Sequence, residues 1–213
     1  TDWSGESYLH VTDLDVAQLF AGYLPRYYGM QSLAINVTSW TRWKNALPVH
    51  SQGEFSLRNL VLAPTAVVAH PLSIKAASGD FSIARREQGL LLGLHNLRVA
   101  ADRNWTAKQV ALAYRHDDAG IALDLRSDYL PLTDLKRIAL VRLPWPALRN
   151  ALDKLEPRGD LRDVRVKLDT RQARPDWRID ARFEQLAINR WQQVPGIANL
   201  SGVVRGTPGL FQV

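Results

Sequence analysis

From Leu143 to Val204 the polar and apolar positions first step with a helical period and then alternate. Pro146 suits a first helical turn, where its missing N–H costs nothing, and Pro157 and Gly159 stop the helix. Beyond it Val164, Val166 and Leu168 point one way and Arg165, Lys167 and Asp169 the other, as strand side chains must. After a loop holding Pro175 the pattern returns. Trp177, Ile179, Ala181 and Phe183 share one face, and Arg178, Asp180, Arg182 and Glu184 the opposite one. A bent strand, a Pro-Gly turn and another strand follow. The reading is a sheet with one apolar and one charged side.

The apolar step lengthens from two residues to three at three places: Phe55 to Leu62, Leu92 to Val99, and Phe183 to Ile188. An amide residue, Asn59, Asn96 or Gln185, stands just before each slip. One extra residue in a strand is a β-bulge, which bends the strand and increases its twist, so three of them predict a long sheet that curls.

Earlier in the chain, Trp3 to Val11 reads as a strand. Thr12 or Asp13 offers an N-cap for a helix through Leu14, Leu19, Phe20 and Tyr23, closed by Pro25. Leu33, Ile35 and Val37 alternate as a strand, and a strand led by Gly53 carries Phe55 and Leu57. Short strands are predicted at 67–74, 81–85, 90–99, 110–114 and 121–125. Turn signals separate them at Ser78-Gly79-Asp80, Gln88-Gly89 and 117–120. Val110, Leu112 and Tyr114 face Ile121, Leu123 and Leu125 across a tight turn, as in an antiparallel meander. Leu132 to Leu140 is a weaker helix. The pairs Asp13-Leu14 with Leu24-Pro25 and Asp134-Leu135 with Leu143-Pro144 hint at an internal repeat.

Composition narrows the class. A hydrophobic content of 46% over 213 residues excludes disorder as the default state. No apolar run reaches the roughly 18 residues of a membrane span. The absence of cysteine removes disulfide frameworks and thiolate metal sites. A net charge of +6 favours acidic partners, whether nucleic acid, lipid headgroups or other phosphates. With Thr1 first and no charged-then-apolar leader, the chain reads as a piece of something longer, any anchor lying outside it.

Little catalytic chemistry is on offer. His10, His50, His70, His95 and His116 stand alone, without the spacing that sets two imidazoles on one metal. Neither a nucleophile elbow nor a phosphate-cradling glycine loop is present. Asp117 and Asp118 are adjacent turn residues rather than an acid–base pair. The sequons at Asn36, Asn104 and Asn199 are chance occurrences, and the tryptophans are scattered. Arginines interleave with acids on the polar strand faces, which reads as a solvated face rather than a nucleic-acid surface.

Two or three short helices cannot cover ten or more alternating strands. Either the sheet closes on itself as a sandwich or barrel, or its inner face stays open for a ligand. Acyl chains suit such a face, because burial contributes about 0.8 kcal/mol per CH₂ and needs no hydrogen-bond partner.

The stretch from Leu143 to Arg205 closely resembles bacterial AsmA-like envelope proteins of the YhdP type. Arg158-Gly159-Asp160-Leu161, Phe183-Glu184-Gln185-Leu186, Pro195-Gly196-Ile197 and Leu200-Ser201-Gly202 carry the likeness. Residues 12 to 62 share it more faintly. The resemblance implies a long repeated β-groove, anchored in the inner membrane and crossing the periplasm, that moves phospholipid toward the outer membrane.

The expectation is therefore a mainly β chain: a long, strongly curved and twisted antiparallel sheet forming an open hydrophobic groove, with short flanking helices. It is one fragment of a larger groove, with possible modules at 1–130 and 131–213. It is non-enzymatic and needs no cofactor or metal. Its lining comprises Leu33, Ile35, Val37, Phe55, Leu57, Leu92, Leu94, Val110, Leu112, Tyr114, Ile121, Leu123, Leu125, Val164, Val166, Leu168, Ile179 and Phe183. Its partners are phospholipid and neighbouring groove segments, with membrane contact through parts outside this piece and no nucleic acid. The rival readings are a closed β-sandwich interaction module and a basic nucleic-acid-binding domain.

Overall fold

The computed structural model describes residues 3–19, 29–64, 71–142, 146–172, 174–193 and 195–212. Eleven strands hydrogen-bond in strict chain order into one antiparallel sheet: β1 (Ser4–Asp15), β2 (Met30–Lys44), β3 (Leu47–Leu62), β4 (Leu72–Arg86), β5 (Gly89–Ala100), β6 (Asn104–Asp117), β7 (Gly120–Pro131), β8 (Arg158–Asp169), β9 (Asp176–Ile188), β10 (Ile197–Thr207) and β11 (Leu210–Gln212). Three short helices flank it: α1 (Val16–Leu19), α2 (Leu132–Arg142) and α3 (Pro146–Leu155). The ten inter-strand spacings make a ribbon about 48 Å long in the hydrogen-bonding direction. β1 and β11 each pair on one side only, so the sheet does not close.

Openness also shows in the surface. The chain exposes 13972 Å², whereas a compact monomer of 24.0 kDa exposes about 9,900 Å². An excess of about 4,000 Å² is incompatible with a closed sandwich, and no second sheet faces the first among the described residues.

The two-residue hairpins β2–β3, β4–β5, β6–β7 and β10–β11 lie along one rim, and the three-residue β5–β6 hairpin lies on the other. The β2–β3 tip, Asn45-Ala46, has positive φ at both residues (52° and 58°), the type I′ geometry that matches strand twist. The opposite rim carries the helices and the longer connections. Six strands are bulged in the half nearer that second rim, at Asp13, Asn59, Asn96, Asp163, Gln185 and Asn199, all left-handed with φ between 49° and 56°. Neighbouring side chains satisfy the displaced backbone. Asn36 Oδ1 accepts from the Asp13 N–H at 2.6 Å, Ser32 Oγ donates to the Asn59 carbonyl at 2.6 Å, and Ser201 Oγ accepts from the Gln185 N–H at 3.1 Å. A β-branched side chain in this conformation costs about 1–2 kcal/mol, and glycine none. Asn59→Val is thus expected to lower the unfolding free energy by about that amount while Asn59→Gly leaves it nearly unchanged, as urea titration of both variants will show.

Several sequence expectations are corrected. The first helix is not capped by Thr12 or Asp13: β1 continues to Asp15, whose Oδ1 accepts from the Gln18 N–H at 2.9 Å. Leu14 is therefore strand, and Phe20, Tyr23 and Pro25 lie outside the described residues. Ser78-Gly79-Asp80 is not a turn. β4 runs straight through it, and Gly79 is where β5 comes close, since a Cβ there would meet the His95 carbonyl oxygen at 2.8 Å. The short strands predicted at 81–85, 90–99, 110–114 and 121–125 are parts of longer ones; of 67–74, residues 72–74 belong to β4 and 67–70 lie outside the described residues. The repeat does not hold locally, because Asp13-Leu14 lies in a bulged strand and Asp134-Leu135 in a helix; Leu24-Pro25 and Leu143-Pro144 fall outside the described residues. The helices from Leu132 and Pro146 are present as α2 and α3.

Candidate functional site

Strand pairing places the predicted apolar residues in rows that cross the strands. One row runs Ile83, Leu92, Leu112, Leu125, Val166, Ile179 over six successive strands, each residue the direct partner of the next. Toward the hairpin rim a parallel row runs Leu90, Tyr114, Leu123, Leu168, Trp177. On the other side lies Phe81, Leu94, Val110, Ser127, Val164. Ile35 sits opposite Leu57 and Val37 opposite Phe55, with Leu33 in the same alternation. Ile121 sits opposite His116, and Phe183 between Leu161 and Gly202. All eighteen thus share one face of the sheet, here termed inner. Phe81, Ile83, Leu90 and Trp177 complete the rows; their alternation was visible in the sequence, but only pairing aligns them with the rest.

These side chains touch their neighbours without being covered. Of the eighteen only Val164 (3%) and Phe183 (4%) are buried, Ile121 is 37% exposed, and the remainder are half-buried. Beyond adjacent strands, the elements with substantial contacts to the sheet are α1, against β1 and β2, and α2, against β4, β7 and β8. Over β1–β3 the central row turns polar, through Ser51, Thr41 and Ser7; Thr41 Oγ1 lies 3.0 Å from Ser51 Oγ, and Trp43 Nε1 donates to Ser7 Oγ at 2.9 Å. The apolar trough therefore spans β4–β9, about 24 Å.

The trough is finished off at the helix-bearing rim. There Ala77, Leu97, Val99, Ala101, Ala107 and Tyr129 form the buried cluster. β7 leaves β6 beyond Ser127, and the Asp128 carboxylate accepts from the freed N–H groups of Lys108 (3.0 Å) and Gln109 (2.9 Å). The seam is closed by side chains. Trp105 packs on Tyr129 with ring centroids 6.1 Å apart, and Trp105 Nε1 donates to Asp134 of α2 at 2.6 Å. Tyr129 Oη donates to Asp160 at 2.9 Å and accepts from Arg103 Nη2 at 2.7 Å; Arg103 is itself paired with Asp160. Burial, and then the Asp160 carboxylate, push the Tyr129 phenol above its ordinary value, so it stays protonated and donating. Arg137 of α2 pairs with Asp102 and holds that carboxyl below its usual range, chiefly by hydrogen bonding. The helix, which continues directly from β7, is thereby tied across the seam to the β6 side.

The outer face has different chemistry. A hollow of about 890 Å³ takes lining from outward positions such as Asn36, Ser56, Ser78, Arg98 and Thr106 together with Leu57, Ala77, Val99 and Trp105. Among the described residues no group of three or more His, Cys, Asp or Glu is placed to hold a metal ion. No described helix is long and apolar enough to cross a membrane.

An open, single-sheet β-groove with an apolar floor is the class this arrangement defines. The chain belongs to the YhdP protein family, whose model matches residues 1–213. That membership associates it with lipid transport in the cell envelope and with a transport-related, non-enzymatic role. No curated protein and no solved structure matches it.

Proposed function

We propose that this chain is a non-enzymatic segment of a periplasm-spanning conduit that carries phospholipid between inner and outer membrane, its acyl chains lying in the apolar trough. The observation that carries the reading is the cross-strand apolar row from Ile83 to Ile179, continuous over β4–β9 and flanked by shorter rows, running along the ribbon rather than along the strands. A tail laid along a row contacts one apolar side chain per strand, and each CH₂ it buries contributes about 0.8 kcal/mol. A row of this direction continues wherever further strands add to the open edges, so neighbouring groove segments of the same longer chain are the natural partners of β1 and β11. The modules 1–130 and 131–213 are stretches of that groove, and the inner-membrane anchor belongs to a segment outside residues 1–213.

Headgroups stay at the hairpin rim, since α2 occupies the other. The test is native mass spectrometry of the purified chain. The expected result is phospholipid released on denaturation; a chain free of lipid, and unable to take up a fluorescent phospholipid from vesicles, would sink the reading.

A further inference from the structure

The charged outer face of β7–β10 changes character once the register is known. Arg126 stands directly opposite Arg165, Lys167 opposite Arg178, and Arg162 opposite Arg182. Like charges in direct opposition destabilise a sheet, and here three such pairs adjoin. The acids within the patch do not balance them. Asp124 lies 3.1 Å from Arg126 and 3.7 Å from Lys167, Glu184 lies 3.2 Å from Arg162, and Asp180 lies 3.9 Å from Arg205. Arg165, Arg178 and Arg182 are exposed and enter no ion pair among the described residues. Sequence order alone shows alternating signs; pairing sets Lys167 opposite Asp124 and Arg165 opposite Asp180, but it also brings cation to cation at three places.

We propose that this outer strip binds the phosphate groups of anionic lipid headgroups, as a site separate from the trough on the other face. Two cationic side chains on adjacent strands flank a single anion about 5 Å across. A carboxylate is filled by one bidentate guanidinium, whereas a phosphate keeps further oxygens for a second donor, and planar guanidinium forks suit it. Nucleic acid fits less well. Trp177 and Phe183 are turned to the inner side, and the one ring among these cations, Tyr129 opposite Arg162, is already covered by that guanidinium 4.7 Å from its centroid, which leaves no free platform for base stacking. The strip would hold the conduit's flank to a membrane surface while cargo occupies the inner face.

The experiment is flotation of the chain with phosphatidylglycerol–phosphatidylcholine vesicles and with pure phosphatidylcholine vesicles at low ionic strength. Each basic residue near an anionic surface strengthens partitioning about fivefold, so R165Q/R178Q is expected to bind anionic vesicles about 25-fold less than wild type. R178E sets a carboxylate opposite Lys167; it is expected to bind less while its melting temperature holds or rises, separating lost affinity from lost fold. Equal flotation of wild type and variants, or equal flotation with both vesicle types, would overturn the proposal. So would displacement by millimolar glycerol phosphate, which would make the strip a free-phosphate site, or equally tight binding of a single-stranded oligonucleotide. Lipid carried in the trough, measured in parallel by mass spectrometry, is expected to be unchanged in both variants, so this proposal and the conduit reading fail separately.

Discussion

Gly53→Ala is expected to lower the unfolding free energy by about 3 kcal/mol or more, a large share of the roughly 5–15 kcal/mol that holds a domain. Gly53 pairs with Ser39 at the centre of the β2–β3 ladder. A Cβ there would lie 1.8 Å from the Thr38 carbonyl oxygen, 2.8 Å from its carbon and 2.9 Å from Ser39 Cα. These are backbone atoms, so no rotamer change relieves the overlap and the strands must part. Gly93→Ala is the control. Its nearest contact, at 2.6 Å, is the Ser82 hydroxyl, which can turn away, so the expected loss is below about 1 kcal/mol. Urea titration of both variants decides the point, and comparable losses would mean that β2 and β3 are not packed this closely.

The second large effect concerns cargo. Leu112→Asp and Leu123→Asp are each expected to lower lipid loading more than a hundredfold. An aspartate facing hydrocarbon costs about 3 kcal/mol. Both leucines are half-buried inner-face residues, in the rows flanked by Leu92 and Leu125 and by Tyr114 and Leu168. Because the trough has no covering layer, the unloaded variants keep their charge in water and should fold. Leu91→Asp provides the comparison: adjacent to Leu92 on the same strand, 36% exposed and directed outward, it should leave loading intact. If all three variants carry lipid as wild type does, hydrocarbon does not travel over these rows.

Much of the fold was legible in the sequence, because a one-faced sheet writes its alternation directly into the residue order. The bulges at Asn59, Asn96 and Gln185 were readable from the three-residue step alone. Asp13, Asp163 and Asn199 obey the same rule and were passed over. Each bulge sits third in an apolar–any–amide or acid–apolar quartet: V-T-D-L, L-R-N-L, L-H-N-L, L-R-D-V, F-E-Q-L and I-A-N-L. Asp13 was taken for a helix cap because Asp suits both places; its side chain here pairs with Arg58 from β3. Gly79 deceived in the same way. Ser-Gly-Asp is turn chemistry in isolation, and only the approach of β5 at its own bulge explains a glycine inside a strand.

What the residue order could not reveal was pairing between strands. Alternation says which side chains share a face but not which stand opposite one another. The row from Ile83 to Ile179, the parting of β6 from β7 at Asp128, and the meeting of arginine with arginine on the outer face all depend on register. The helix from Pro146 was foreseeable from its prolines, and yet the placement of α2 along one rim rests on Trp105–Asp134 and Arg137–Asp102 contacts between distant parts of the chain.

Strict chain order in the sheet has an evolutionary corollary. Each strand pairs only with its immediate neighbours, so inserting or deleting one hairpin away from the helices lengthens or shortens the ribbon by about 10 Å without demanding that a central core be repacked. Reach is thus a quantity that duplication can tune by increments, much as links are added to a chain-mail strip, while every link keeps the same inward and outward sides.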